Sequence, residues 1–213
     1  MEYPTYGIYT AKGVNLEEEQ FVNDGQSVYD FFVQNLGLSS DQIIIMGRSI
    51  GSGPATLLAS KRKAGAFFLF SPLISVREVA IRIPKIGWLA KMFISSNLFN
   101  NAKHIKDIHT PTFIVHGLQD EVVPHNHGQS LHDLSPVHTE KKYMHSVNGM
   151  SHNRFKLNED FIEPGQRFLD KIGLLKSPAL RPIDIAPFIA QYHLADDAKG
   201  SIELSYLLSQ VQL

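Results

Sequence analysis

The sequence predicts an α/β fold: a mostly parallel sheet with helices on both faces. Strand-like runs recur at 42–46, 66–70, 112–115 and 141–147. Helix-forming stretches at 17–36, 51–63, 127–134 and 158–172 alternate with most of them, and that rhythm implies parallel pairing through crossover helices. The runs at 42–46 and 66–70 are largely continuous in apolar residues, as expected of strands covered on both faces. With 213 residues the chain can bury a sizeable core and reads most simply as one domain.

The elements follow in order. After a turn-like start at Glu2-Tyr3-Pro4-Thr5-Tyr6-Gly7, residues 17–36 read as a helix. The strand at 42–46 runs without a break into Gly47-Arg48-Ser49-Ile50-Gly51-Ser52-Gly53-Pro54-Ala55 and then a helix. That is a strand, a sharp turn with a serine at its apex, and a helix. Gly47 and Gly51 flank Ser49 where such a turn is expected to leave no room for a Cβ, with Ser49 itself in a strained backbone. The turn lifts the hydroxyl above the sheet. Read on its own, Ser49 would serve equally as a helix N-cap.

Past the strand at 66–70, residues 72–110 interrupt the alternation with Ile74, Val76, Ile81, Ile86, Trp88 and Phe93, too apolar for a solvated loop. Arg77, Arg82, Lys85 and Lys91 outnumber Glu78 there. This lid-like excursion is expected either to cover an acyl chain or meet a membrane surface, or to pack on the sheet as an ordinary helix. Beyond the core over 1–173, Pro178, Pro182 and Pro187 punctuate the chain before Ile202, Leu204, Leu207, Leu208 and Val211 recur at roughly helical spacing. That pattern predicts a helical appendage over 174–213.

A serine hydroxyl is a weak nucleophile and needs a base and an orienting carboxylate. The strand at 112–115 leads into His116-Gly117-Leu118-Gln119-Asp120, and the strand at 141–147 into Gly149-Met150-Ser151-His152-Asn153. Asp120 and His152 thus fall in loops at the carboxyl ends of strands, where parallel sheets carry their sites. Ser49, Asp120 and His152 follow the chain order of the α/β-hydrolase fold. A lone aspartate in a loop is commonly a turn residue, but a position just after a strand favours the catalytic reading. Of the ten histidines, His104, His109, His125, His132, His138 and His193 sit in polar surroundings and read as solvated surface. His116 and His145, in or at the ends of strands, read as residues satisfied by hydrogen bonds.

Residues 47–54, 116–128 and 149–153 resemble the α/β-hydrolase-domain-17 group of serine hydrolases, whose animal members are acyl-protein thioesterases that remove palmitate from cysteines. Residues 2–7 resemble that group's Asp-Tyr-Pro-Gly-Tyr-Gly segment, with Glu2 and Thr5 as departures; Ser151 and Arg154 depart beside the histidine. The resemblance implies Ser49 as nucleophile, His152 as general base and Asp120 as its orienter, with an acylated protein or small ester as substrate and no cofactor or metal. Two other readings stand beside it. One is a serine peptidase of the prolyl-oligopeptidase type, which shares the triad order. The other is a non-catalytic relative acting as a binding or scaffold protein.

Composition narrows the field further. A net charge of −1 offers no basic excess for nucleic acid. The absence of cysteine removes disulfides, thiol catalysis and Cys-based metal sites together. No apolar run is long enough to span a bilayer and nothing resembles a signal peptide, so a cytoplasmic location, peripheral at membranes, is expected. One oxyanion-hole donor is expected from the backbone amide of Ile50. The other would come from the loop after an earlier strand, and no His-Gly type loop of that kind is found in this sequence. The expectation is therefore of a fold whose amino-terminal strands are missing, with an apolar edge prone to aggregation and feeble turnover.

Overall fold

The computed structural model describes residues 18–82 and 98–176, with Gly87 and Met92 between them. Residues 1–17, most of the middle of the 72–110 excursion, and the appendage beyond 176 lie outside the described residues, as does His193. Among the described residues, four strands pair in parallel in chain order: β1 Ile44–Arg48, β2 Ala66–Phe70, β3 Thr112–Gly117 and β4 Lys142–Val147. The register sets Arg48 opposite Phe70, Phe70 opposite Val115 and Gly117 opposite Val147. All four carboxyl ends therefore open onto one side of the sheet. The helices whose bounds fall among the described residues are α1 Glu18–Gln34, α2 Ser52–Lys61, α3 Val76–Ala80, α4 Asn101–His104, α5 Asn126–Leu134 and α6 Glu163–Lys171.

Strand alternation sorts the core into two layers, and every residue of β2 and β3 is buried. Phe67 and Leu69 face one side with Ile45 and Ile114, packed against Ala55 and Ala59 of α2 and Leu131 of α5. Phe68 and Phe70 face the other side with Phe113 and Val115, packed against Phe168 and Leu169 of α6. The Phe68 ring lies 5.0 Å from Phe113 and 6.0 Å from Phe168, centroid to centroid. Such pairs add about 0.5–1.5 kcal/mol beyond the area they bury, and burying each ring is worth roughly 1.5–3 kcal/mol. This is why β2, apolar throughout, and β3, apolar from Phe113 to Val115, occupy the centre of the sheet.

β1 behaves differently, because it is an edge strand among the described residues. Ile45 is buried, but Ile44 and Met46 stay 42% and 60% exposed. They share a face with Phe68 by register, but no apolar β1 residue joins the aromatic cluster beneath α6. A groove of about 330 Å³ runs along this strand, lined by Val28 and Phe32 of α1 and by Ile44, Met46 and Arg48.

Three local expectations shift. β1 begins at Ile44 rather than 42, because Ser40–Gln42 forms a 3-10 turn in which the Gln42 side chain accepts the Ser39 amide at 3.0 Å. The helix expected over 158–172 splits into a π-helical turn, Leu157–Ile162, followed by α6. Pro164 lacks an N–H, so an α-helical ladder cannot run through it and restarts beside it. At the serine turn, a Cβ on Gly47 would sit 2.5 Å from the Gly51 carbonyl oxygen and 2.6 Å from the Ala55 Cβ, whereas one on Gly51 would meet open space. The second crowded glycine is Gly53, which lies against the Phe99 ring. Gly51 is thus not required by crowding, contrary to the sequence expectation.

Candidate active site

The serine turn is built as a left-handed residue between two regular elements. Ser49 leaves β1 with φ +51°, a conformation that costs an L-residue about 1–2 kcal/mol. A 3-10 turn, Ser49–Gly51, then hands the chain to α2. The strain is held from below by a buried polar cluster. Ser52 Oγ donates to the Ser49 carbonyl at 2.6 Å and accepts from Asn101 Nδ2 at 3.0 Å and from the Leu73 amide at 3.3 Å. Asn101 also donates to the Leu73 carbonyl at 2.8 Å. Both ends of the excursion after β2 are thereby tied under the turn. Ile50, half exposed, occupies the turn immediately after Ser49.

The loops after β3 and β4 are joined edge to edge. The Leu118 amide donates to the Val147 carbonyl at 2.9 Å, the Gln119 amide to the Met150 carbonyl at 3.2 Å, and the Gly149 amide to Gln119 Oε1 at 2.5 Å. Gly117 lets the two backbones meet, since a Cβ there would overlap the Met150 carbonyl. Gly149, with φ +80°, turns the second loop back toward the sheet. Asp120 and His152 are delivered side by side as a result.

The structure brings Ser49, His152 and Asp120 into one chain of contacts. Ser49 Oγ lies 2.9 Å from His152 Nε2, and His152 Nδ1 lies 2.9 Å and 3.1 Å from the two Asp120 oxygens. An ionised Asp120 can only accept, so it selects the tautomer whose Nδ1–H donates to it and leaves Nε2 free to accept from Ser49. Asp120 Oδ1 also accepts the Val123 and Val122 amides at 2.8 Å and 3.1 Å. Burial works against its charge, but hydrogen bonds from His116, His152 and the Val123 amide outweigh it and hold the carboxyl well below the usual carboxylate range. The contribution of that charge to stability is complete above the ordinary carboxylate value and is lost only under strong acid.

Among the neighbouring histidines, His116 is satisfied by a hydrogen bond, as its place in a strand predicts, while others pack where the sequence carries no legible signal. His116, fully buried, donates from Nε2 to the Val123 carbonyl at 2.7 Å and lies 3.5 Å from Asp120 Oδ2, so it supports the Asp120 loop from behind. His125 and His104, expected on the solvated surface, are half-buried, and burial lowers both below the ordinary histidine value. The polar residues around each of them in sequence do not reveal that their elements pack. Among the described residues no group of three His, Asp or Glu side chains converges as a metal site, and no helix is long and apolar enough to cross a membrane.

His127 is a buried histidine that makes stability depend on pH. Its Nδ1 accepts the Ile74 amide at 3.1 Å, and burial, helped by the positive charge of Arg82, brings it down to about 4. An unfolded histidine titrates near 6.5. Between those values the unfolded chain binds a proton that the folded chain refuses, so stability falls as pH drops from 6.5 toward 4, by up to roughly 3 kcal/mol. His127→Asn keeps an acceptor for Ile74 without the titration. Thermal unfolding of this variant should show a shallower decline across that window, and parallel melting curves for variant and wild type would refute the assignment.

The chain is similar to alpha/beta hydrolase domain-containing protein aho-3 of Caenorhabditis elegans, 29% identical over 169 residues covering 79% of this chain and 47% of that protein. It is 27% identical to alpha/beta hydrolase domain-containing protein 17C of Homo sapiens over 168 residues, again 79% of this chain and 47% of the relative. The chain spans about half the length of the curated relatives it matches. Among solved structures, Est1E from Butyrivibrio proteoclasticus aligns with a TM-score of 0.58 at 17% identity, covering 73% of this chain and 71% of that one. No family model matches the chain. Parallel sheet, serine turn and relatives agree that the chain adopts the α/β-hydrolase fold and is a relative of the domain-17 group.

Proposed function

We propose that the chain is a serine hydrolase that cleaves an ester or thioester through an acyl-enzyme. The observation that carries this reading is the continuous relay from Ser49 Oγ through the His152 ring to Asp120, each step 2.9 Å at its shortest. His152 Nε2 takes the Ser49 proton as Oγ attacks the acyl carbonyl, and Asp120 stabilises the imidazolium that forms. The Ile50 amide is the proposed donor to the oxyanion. His152 then returns the proton to the departing thiol or alcohol. A water attacks the acyl-Ser49 ester with His152 again as base, releasing the carboxylic acid and free Ser49. Resemblance of residues 47–54, 116–128 and 149–153 to the domain-17 group supports an S-acylated protein as the substrate class, and hence depalmitoylation.

A fluorophosphonate probe should label the folded chain at Ser49, and long-chain acyl thioesters should turn over faster than aminoacyl amides. Absence of labelling on a cooperatively melting sample would overturn the hydrolase reading. A preference for amides would overturn the thioesterase reading alone.

A further inference from the structure

Arg48, the last residue of β1, makes a contact that the relay above does not use. Its Nη2 donates to the His152 carbonyl at 2.6 Å and reaches Asn153 Oδ1 at 3.3 Å. Its guanidinium carbon sits 5.3 Å from the Phe155 ring centroid and 5.8 Å from that of Phe70, and the two rings meet edge to face at 5.0 Å. A planar cation resting on two aromatic rings while one of its nitrogens donates to two oxygens is arginine chemistry that the compact ammonium of lysine does not reproduce.

The position of this contact in the sheet gives it a specific task. β2 and β3 separate β1 from β4, so at about 4.8 Å per strand the serine strand and the histidine strand lie roughly 14 Å apart. The loops after β3 and β4 are laced to each other by main-chain bonds. Toward β1, among the described residues, the histidine loop is held by Ser49 Oγ at His152 Nε2 and by Arg48 at His152 O and Asn153 Oδ1. The first is interrupted during the reaction, because an acylated Ser49 has no hydroxyl proton to donate. The Arg48 contact is independent of that chemistry.

We infer that Arg48 is a positioning residue that latches the His152 loop to the nucleophile strand, and that its effect falls mainly on deacylation. This rests on the acyl-enzyme reading above. While Ser49 is free, its own bond to His152 helps hold the ring in place, and loss of Arg48 is partly masked. Once Ser49 is acylated, Asp120 still holds the ring at Nδ1, and Arg48 is the contact that still ties the loop carrying that ring to the nucleophile strand, and so keeps it in reach of the attacking water. A displacement of about 1 Å at that stage costs on the order of 10²-fold.

The test uses Arg48→Ala and Arg48→Lys in the full chain with an activated p-nitrophenyl ester, whose acylation is fast. In Arg48→Ala, kcat should fall by about 10- to 100-fold and KM should fall in step, leaving kcat/KM changed far less, and a burst of p-nitrophenol should mark the accumulating acyl-enzyme. Millimolar guanidinium ion should restore kcat in a saturable way where methylammonium does not, and Arg48→Lys should resemble the alanine variant. Amide hydrogen exchange at residues 149–153 supplies a readout that needs no turnover: it should quicken in Arg48→Ala and slow again with guanidinium. Equal losses in kcat and kcat/KM, with KM unmoved, would overturn the deacylation role. Unchanged exchange would overturn the latch itself. A wild-type chain with no Ser49-dependent turnover would sink the acyl-enzyme reading and the deacylation role with it, while the exchange experiment would still decide the latch.

Discussion

Ser49→Ala is expected to lower kcat by roughly 10⁶-fold and to abolish covalent labelling, the size of loss seen when the nucleophile of a serine triad is removed. Folding should be preserved. Ser49 Oγ lies above the sheet against His152 Nε2, and the turn is held by Ser52 and Asn101 through the Ser49 carbonyl, which alanine retains. Alanine also inherits the strained φ of +51°, so the substitution does not relax the backbone. Glycine would. Ser49→Gly should match alanine in activity but melt higher, because glycine enters the left-handed region without the penalty of a Cβ. A melting temperature for Ser49→Gly at or below that of Ser49→Ala would show that the turn is not under strain. Residual turnover in Ser49→Ala within about 10²-fold of wild type would mean that another group attacks the substrate.

What was legible in the sequence follows from how locally each feature is encoded. The continuous apolar run at 66–70 is a strand buried from both faces, whereas the largely apolar run at 42–46 forms an edge strand among the described residues, with Ile44 and Met46 exposed. Ser49, Asp120 and His152 could be named because each follows a strand and carries a short-range mark, a glycine pair, an apolar run or a turn glycine. Marks of that kind fail at element ends. β1 extends through Arg48, a charged residue that an apolar pattern leaves out of the strand, since backbone pairing with β2 continues to Phe70 whatever the side chain. Gly51 looked crowded and is not, whereas Gly53 is pinned by Phe99, forty-six residues away in the chain. The contacts that support the site join residues distant in sequence: Ser52 with Asn101, His127 with Ile74, Arg48 with His152. Nothing in either partner's immediate neighbourhood announces such a pair, so only the folded chain reveals it.

Asp120→Asn is expected to cost about 10⁴-fold in kcat through the wrong tautomer of His152 rather than through loss of shape. The amide of asparagine has one acceptor and one donor end, and the surroundings dictate which goes where. Asp120 Oδ1 receives the Val122 and Val123 amides, so the asparagine carbonyl must occupy that position. Its NH₂ then takes the place of Oδ2, 2.9 Å from His152 Nδ1, and donates to it. A histidine that accepts at Nδ1 carries its proton on Nε2, which now points a hydrogen at Ser49 instead of a lone pair. The nucleophile loses its base although all three side chains keep their positions. The same NH₂ also faces His116 Nε2 at the 3.5 Å approach, donor against donor, which should lower the melting temperature modestly. Asp120→Ala provides the contrast: it leaves the ring free to choose its tautomer but strands the Val122 and Val123 amides, so it should melt lower than asparagine. Imidazole nitrogen chemical shifts in Asp120→Asn should report a protonated Nε2 on His152. Observation of the wild-type tautomer, or kcat within tenfold of wild type, would refute this account of how Asp120 acts.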